Sequence, residues 1–257
     1  MDKRPVGVFD SGLGGASVLR EALRILPTEH YIYFGDNKNA PYGDKSEQEI
    51  LELSLKSADF LLSFGIKVML FACNTATGTA IKQVREKLSI PVISIEPAIK
   101  PACEAVGDGT ILMLATKATT QMERYHKLKA RMPQSCRIID IPCPGFVERI
   151  EQGVFGIGEY DDLFDKHLGE FKGERVDAIV LGCTHYIFIK EVLAEYAQRN
   201  FLGECRFFDG NLGTVRQLAR VLKSKDMLNN QQKPTVDFYT SGDEARLKPL
   251  FEKLLYS

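Results

Sequence analysis

The sequence predicts an α/β protein built from two similar domains with mainly parallel sheets, and three observations carry that prediction. Apolar runs of strand length alternate with amphipathic stretches of helix length along most of the chain. One pattern occurs twice, an apolar run that ends in a cysteine followed by small polar residues: Val68-Met69-Leu70-Phe71-Ala72-Cys73-Asn74-Thr75-Ala76-Thr77 and Ala178-Ile179-Val180-Leu181-Gly182-Cys183-Thr184-His185-Tyr186. Strand ends also match in pairs about 110 residues apart, Phe9 with Ala115, Cys73 with Cys183 and Glu96 with Asp209. The two halves share this pattern rather than residue identity.

The bulk numbers exclude several classes. The chain has 257 residues, 44% apolar and 26% charged, enough to bury a sizeable core. Its net charge of −1 gives no footprint for nucleic acid or an anionic membrane. The longest apolar runs fall short of the roughly 18 residues of a membrane span. The apolar stretch after Arg4 is cut by Asp10, too early for a secretory leader, so the expected compartment is the cytoplasm. The six cysteines form no Cys-x-x-Cys pair and the four histidines are scattered, so no metal site is expected. In a reducing compartment all six are expected as free thiols, with Cys103, Cys136, Cys143 and Cys205 as small buried hydrophobes.

Each element follows from local pattern. Val6-Gly7-Val8-Phe9 reads as a buried strand running into Asp10-Ser11-Gly12-Leu13-Gly14-Gly15, then a helix with Val18, Leu19, Ala22, Leu23 and Leu26 on one face. The glycines suit a tight turn that exposes amides at the helix start, yet the loop has neither the G-x-G-x-x-G spacing nor the Gly-Lys-Ser/Thr of a phosphate loop. A carboxylate suits such amides. His30–Phe34 is the second strand, ending at Gly35-Asp36, and Ala40-Pro41-Tyr42-Gly43 is a turn in the loop that follows. Ser46 with Glu49 three residues on reads as a capping box for a helix from Gln48 to about Phe64. The third strand reaches Cys73, a helix spans about Thr77 to Leu88, and Ile90–Ile95 is the fourth strand.

The order then repeats. Thr110–Ala115 is a strand leading into Thr116-Lys117-Ala118-Thr119-Thr120 and a helix, and Arg137–Ile141 is the next strand. Gly145–Glu151 and Asp161–Phe171 read as helical, Val176–Leu181 as the strand reaching Cys183, and Cys205–Phe208 as the last strand of the set. A helix over Leu212–Lys223, an exposed polar loop over Ser224–Lys233, a strand over Thr235–Tyr239 and a helix capped by Ser241-Gly242-Asp243 complete the chain. That tail is too small for a third domain and is expected to return to the first. The predicted division is residues 1–96 with 208–257, and 97–207. Two such domains about a pseudo-twofold axis would bring both cysteine-tipped strand ends to one cleft, where open α/β sheets bind ligands.

Two symmetric thiols suggest a specific chemistry. A stereocentre is inverted by removing a proton from one face and delivering one to the other, which needs a base and an acid of similar strength. A thiolate and a thiol meet that need, and a helix N-terminus favours the thiolate. Asp10 is placed to serve Cys73; His185 and Glu151 are placed to serve Cys183, with Glu148 a turn earlier as the competing carboxylate. Asn74, Thr75 and Thr184 suit either helix capping or a substrate carboxylate.

Gly7-Val8-Phe9-Asp10-Ser11-Gly12-Leu13-Gly14-Gly15, Pro41-Tyr42-Gly43, Ala72-Cys73-Asn74-Thr75-Ala76 and Gly182-Cys183-Thr184-His185-Tyr186, in this order, resemble the signatures of the cofactor-independent glutamate racemases. The resemblance runs nearly end to end and includes Glu96-Pro97 and Ser241-Gly242-Asp243. It implies interconversion of L- and D-glutamate, supplying D-glutamate for peptidoglycan, without a cofactor. It implies that Cys73 deprotonates D-glutamate with help from Asp10, and that Cys183 deprotonates L-glutamate with help from His185 and Glu151. It further implies substrate contacts at Asp10, Ser11, Tyr42, Gly43, Asn74, Thr75, Thr184 and His185, with Thr119 and Thr116 at the side-chain carboxylate. Family members often form homodimers, and one is expected here.

The chain departs from the family pattern at Ile187, where a proline is common, at Gly145-Phe146-Val147-Glu148-Arg149-Ile150-Glu151, and at Asn37-Lys38-Asn39, where an arginine is frequent. The N-terminal extension that some members carry, linked with activation by a peptidoglycan precursor, does not precede Met1, and no such activation is expected. The rival readings are an aspartate or hydantoin racemase of the same superfamily and a thiol hydrolase using Cys183 and His185, which leaves Cys73 idle. A third, from another class, is an amino-acid-binding or gyrase-regulating protein.

Overall fold

Two fully parallel sheets form the frame, and each gathers the carboxyl ends of its strands at one edge. The computed structural model describes residues 1–230 and 233–256. The chain divides into two compact units, Met1–Glu96 with Asn211–Ser257, and Pro97–Gly210.

The first unit begins with β1 (Val6–Asp10), α1 (Ala16–Ile25) and β2 (His30–Gly35). It continues with α2 (Glu47–Leu62), β3 (Val68–Phe71), α3 (Asn74–Lys87) and β4 (Val92–Ser94). The second unit holds α4 (Ile99–Val106), β5 (Thr110–Ala115), α5 (Lys117–Gln121), α6 (Glu123–Lys129), β6 (Arg137–Pro142), α7 (Phe146–Glu151), α8 (Asp161–Leu168), β7 (Ala178–Leu181), α9 (Lys190–Asn200) and β8 (Arg206–Asp209). The chain then returns to the first unit with α10 (Asn211–Ser224), β9 (Thr235–Thr240) and α11 (Glu244–Tyr256).

The sheet orders are β4-β3-β1-β2-β9 and β6-β5-β7-β8. Read from the opposite edge, the second is β8-β7-β5-β6, the same topology as the first four strands of the first sheet. The repeat in the sequence is therefore a repeat of topology, and β9 is the addition, laid parallel beside β2 from Thr235 against His30 to Thr240 against Gly35. β1 and β3 are buried along their whole length, as central parallel strands require. In the second unit the two faces of the sheet separate cleanly. Leu112, Leu114, Ile179 and Leu181 enter the core that contains α7, α8 and α9, whereas Ile111, Met113, Ala115, Ala178 and Val180 enter the core beneath α4 and Tyr125.

Four differences from the sequence reading have local causes. The element α4 was not expected because Pro97 and Pro101 punctuate it, yet Pro101 lies in the first helical turn, where a missing N–H costs nothing. Cys103 and Cys136 are not free thiols: they are disulfide-linked, α4 to the turn before β6, with Cα atoms 5.8 Å apart in one apolar layer. The boundary read at 207 would cut β8, whose ladder to β7 runs from Arg206 to Asp209 and carries the second unit to Gly210. The loop expected over Ser224–Lys233 opens after α10, and its Gln231 and Gln232 lie outside the described residues; Asn229 within it is buried rather than exposed.

Asn229 is buried because its N–H donates to Glu29 Oε1 at 2.8 Å, beside an ion pair with no solvent contact. Lys67 Nζ donates to Glu29 Oε2 at 2.6 Å and to the carbonyls of Asp2 and Met227 at 2.8 and 2.7 Å, so all three of its protons are used. These bonds tie the start of the chain and the segment before β9 to the foot of β3. Among the described residues no helix is long and apolar enough to cross a membrane. Removing one partner of this pair strands the other charge in the core. Lys67→Ala is expected to cost about 3–5 kcal/mol, read as a lower urea midpoint at an unchanged slope.

Candidate active site

The catalytic candidates lie at the carboxyl ends of central strands, where chain direction and register put them. In the first unit Phe9 is opposite Phe71, and Ala72 N donates to the Phe9 carbonyl at 2.8 Å. Ser11 and Cys73 thus leave adjacent strands at the same level, with Asp10 one residue before Ser11. Asp10 is fully buried, and its Oδ1 accepts from Gly12 N at 2.8 Å, which turns the chain after β1. Ser11 Oγ then reaches Cys73 Sγ at 3.3 Å. Gly15 is required by close approach: a Cβ there would lie 2.7 Å from the Asp10 Cβ. The amides at the start of α1 are not an open anion cradle, since Ala16 N and Ser17 N donate to the carbonyls of Leu13 and Gly14.

Cys73 is the N-cap of α3, and its sulfur accepts from Ala76 N at 3.4 Å. That helix begins at Asn74, three residues earlier than its apolar face suggested, because the cysteine itself caps it. The sulfur is therefore solvated by backbone N–H and by the positive end of a 14-residue helix. Asn74 and Thr75, on the first turn of α3, are buried. Asn74 Oδ1 is enclosed with no hydrogen-bond partner in the protein, and so is Thr77 Oγ1 one turn on from Cys73. A buried amide oxygen without a donor is costly unless a ligand supplies one. Tyr42 is buried beside Phe9, with ring centroids 6.4 Å apart, and donates to Asp36 Oδ2 at 2.6 Å. Burial, then the charges of Asp36 and Cys73, push its phenol above the ordinary range, so it stays protonated.

In the second unit Leu114 is opposite Leu181, and Gly182 N donates to the Leu114 carbonyl at 2.8 Å. A Cβ on Gly182 would lie 2.1 Å from the methyl of Met113, so that buried side chain would have to move to admit one. Cys183 follows and leads not into an α-helix but into six residues of 3-10 helix, Thr184–Ile189, without capping it through its sulfur. The parallel with Cys73 stops there. Its protonation partners come from side chains instead. Cys183 Sγ lies 3.7 Å from His185 Nδ1, and His185 Nε2 lies 2.7 Å from Glu151 Oε1. Burial alone would push the imidazole pKa down; the hydrogen bonds to Cys183 and Glu151 outweigh it and hold His185 well above its ordinary value. An imidazolium so held donates from both nitrogens, one toward sulfur and one to carboxylate.

Glu148 is engaged elsewhere: its Oε2 accepts from Gly145 N, capping α7, and so Glu151 on the last turn is the carboxylate that meets His185. Thr184 is buried beside Cys183 in sequence. Thr116, the N-cap of α5, donates from its hydroxyl to Thr119 Oγ1 at 2.9 Å and accepts from Thr119 N, both buried at the end of β5 next to β7. Cys143, buried in the same core as Cys183, is not a second base, because burial, ahead of the nearby Cys183, pushes its thiol far up and its S–H meets the Ile141 carbonyl. Among the described residues no cluster of three His, Cys, Asp or Glu is arranged to hold a metal. Sequence reasoning missed Asp36 and Thr77. Asp36 directly follows β2, as Asp10 closes β1, and an acidic residue at a strand's carboxyl end was the available signal.

The raised pKa of His185 makes a prediction about pH. A histidine whose folded pKa exceeds its unfolded value of about 6.5 contributes stability fully below that value and loses it as pH rises through the folded pKa. Among the four histidines, ring NMR is expected to show His185 titrating above the ordinary range, and Glu151→Gln to bring it down. The stability lost in Glu151→Gln is then largest near pH 6 and shrinks toward alkaline pH. A native His185 that titrates below 6.5 contradicts the relay.

Comparison with known proteins assigns the family. The profile of Asp/Glu/Hydantoin racemase matches residues 7–218. A glutamate racemase of Clostridium perfringens is 41% identical over 254 residues, covering 98% of this chain and 96% of that protein. The crystal structure of glutamate racemase from Francisella tularensis in complex with D-glutamate superposes with a TM-score of 0.85 at 31% identity, covering 100% of this chain and 95% of that one. The Escherichia coli enzyme in complex with L-glutamate and the activator UDP-MurNAc-ala gives 0.82 at 31% identity, covering 98% and 95%. With strand ends, thiols and likeness in agreement over nearly its whole length, the chain belongs to the Asp/Glu/Hydantoin racemase family.

Proposed function

We propose that the protein is a glutamate racemase that interconverts L- and D-glutamate by two-base proton transfer at Cα, with no cofactor. The observation that carries the mechanism is that each parallel sheet ends a central strand in a buried thiol with its own polar surroundings. Ser11 and the N-terminus of α3 attend Cys73, and the His185–Glu151 pair attends Cys183. The substrate assignment comes from the relatives, among them structures that hold D-glutamate and L-glutamate.

Cys73, as thiolate, takes the Cα proton of D-glutamate while the Cys183 thiol protonates the opposite face; the roles exchange for L-glutamate. Asp10 assists Cys73. His185, held by Glu151, returns a proton to Cys183 after each turnover in one direction and receives it in the other. As Cα loses its proton, charge develops on the α-carboxylate, and the donors assigned to meet it are the amides and hydroxyls of Ser11, Asn74, Thr75 and Thr184. Asn74 Oδ1, the enclosed acceptor without a partner, is assigned to the substrate ammonium. Thr119, with Thr116, is assigned to the side-chain carboxylate, and the Tyr42-Gly43 turn completes the contacts. Supply of D-glutamate for peptidoglycan, a cytoplasmic setting and a homodimer belong to the same proposal.

The test is racemisation in D₂O without added cofactor, following optical rotation and deuterium entry at Cα. Cys73→Ala and Cys183→Ala are each expected to lose inversion by roughly 10²–10⁴-fold, the range for losing a general acid or base. Cys73→Ala should still exchange the proton of L-glutamate, and Cys183→Ala that of D-glutamate. Inversion of aspartate but not glutamate by the native protein sinks the substrate assignment and spares the mechanism. A dispensable cysteine sinks the mechanism.

A further inference from the structure

The loop between β2 and α2 carries Tyr42 and Gly43, and its fastening centres on Asp36. Asp36 is only 4% exposed, and its carboxylate meets three side-chain donors. Oδ1 accepts from Ser241 Oγ at 2.6 Å and from Asn39 Nδ2 at 2.9 Å; Oδ2 accepts from Tyr42 OH at 2.6 Å and from Asn39 Nδ2 at 3.1 Å. Its backbone N–H donates to the Asp10 carbonyl at 3.0 Å, which fixes it to the end of β1.

Ser241 is 205 positions away in sequence and arrives at the end of β9. Its N–H donates to the Gly35 carbonyl at 3.1 Å, and its hydroxyl oxygen accepts from Lys38 N at 3.1 Å. Thr240 Oγ1 donates to Asn37 Oδ1 at 2.8 Å and accepts from Gly242 N at 3.0 Å. The strand that the tail adds to the first sheet therefore clasps the loop over residues 37–44. Gly35 allows the clasp to close, since a Cβ there would lie 2.6 Å from both the Gly12 carbonyl and Asn37 Oδ1.

A carboxylate that merely ended a strand would remain in water. Burying this one carries a desolvation cost that its bonds must offset, and those bonds converge on the segment that holds Tyr42 near Cys73. We propose that Asp36 is a positioning residue for the reaction, which with Ser241 latches loop 37–44 so that Tyr42 and Gly43 are preset at the Cys73 side of the substrate. This rests on the reading of Cys73 as an acid/base thiol and of Tyr42-Gly43 as substrate contacts. Asp36 itself touches Tyr42 rather than the reacting atoms. Loosening the latch removes binding common to substrate and transition state, and such a loss appears in KM more than in kcat.

The experiment compares Asp36→Asn, Tyr42→Phe, the double variant and Ser241→Ala in the full chain. It reads amide hydrogen exchange, melting temperature, and kcat and KM in both directions. Asp36→Asn is expected to speed exchange over residues 37–45 while leaving β3 protected, and to raise KM about tenfold, the worth of a hydrogen bond to a charged group. kcat should change much less. Tyr42→Phe removes the same bond from its other end, so the double variant should be no worse than the more impaired single variant. Ser241→Ala should give the same pattern at smaller amplitude. Unchanged exchange over 37–45, losses that add in the double variant, or a lower melting temperature with KM unmoved would each overturn the proposal. A native chain that turns over neither glutamate nor aspartate defeats the racemase reading separately, and the exchange measurement still decides whether the latch exists.

Discussion

The parallel register of the central strands is the constraint on which the sites depend. Parallel strands send their carboxyl ends the same way, so residues just past them gather at one edge without any long-range design. Phe9 opposite Phe71 sets Ser11 and Cys73 side by side, and Leu114 opposite Leu181 sets Thr116 near Cys183. A slip of one residue in either ladder would turn the buried side chains of β3 or β7 to the opposite face and carry the thiol with them. The packing that opposes the slip lies in the same strands: β1, β3 and β7 are buried throughout, and a side chain at Gly182 would displace Met113.

Within that shared frame the two thiols are managed differently. Cys73 has its sulfur on a backbone N–H at the head of a long helix and beside a serine hydroxyl. Cys183 opens a short 3-10 segment and relies on an imidazole, which in turn relies on a carboxylate from α7. A helix end offers fixed partial charge, whereas an imidazole exchanges protons. The surroundings of Cys73 are therefore set by geometry, and those of Cys183 by a titrating group. Equal strands do not entail equal surroundings.

Much of this frame is legible in the residues. The strand over Thr110–Ala115 and the capping box of Ser46 and Glu49 stand where local pattern puts them, because both depend on neighbours a few positions away. The return of the tail to the first unit is legible from its small size, and β9 lies beside β2 accordingly. What the sequence hides is long-range. The Cys103–Cys136 bridge spans 33 positions with no spacing signature, the Glu29–Lys67 pair looks like two surface charges, and Ser241 looks like a helix cap until its partner Asp36 is seen. The 3-10 turn after Cys183 escapes for another reason: Thr184–Ile189 is apolar enough to pass for the first turns of α9.

The addition of β9 also bears on how the chain is made. The second unit is a continuous segment, Pro97–Gly210, with all its strands and both of its cores encoded in one stretch. It is free to fold on the ribosome as soon as Gly210 emerges. The first unit is not, although its first four strands are translated earlier. Until β9 arrives, β2 is an open edge, Tyr33 lacks the rings of Phe238 and Phe251 that cover it, and Lys67 lacks the Met227 carbonyl. During synthesis the half translated first is thus the half completed last, its sheet left with an open edge until β9 follows.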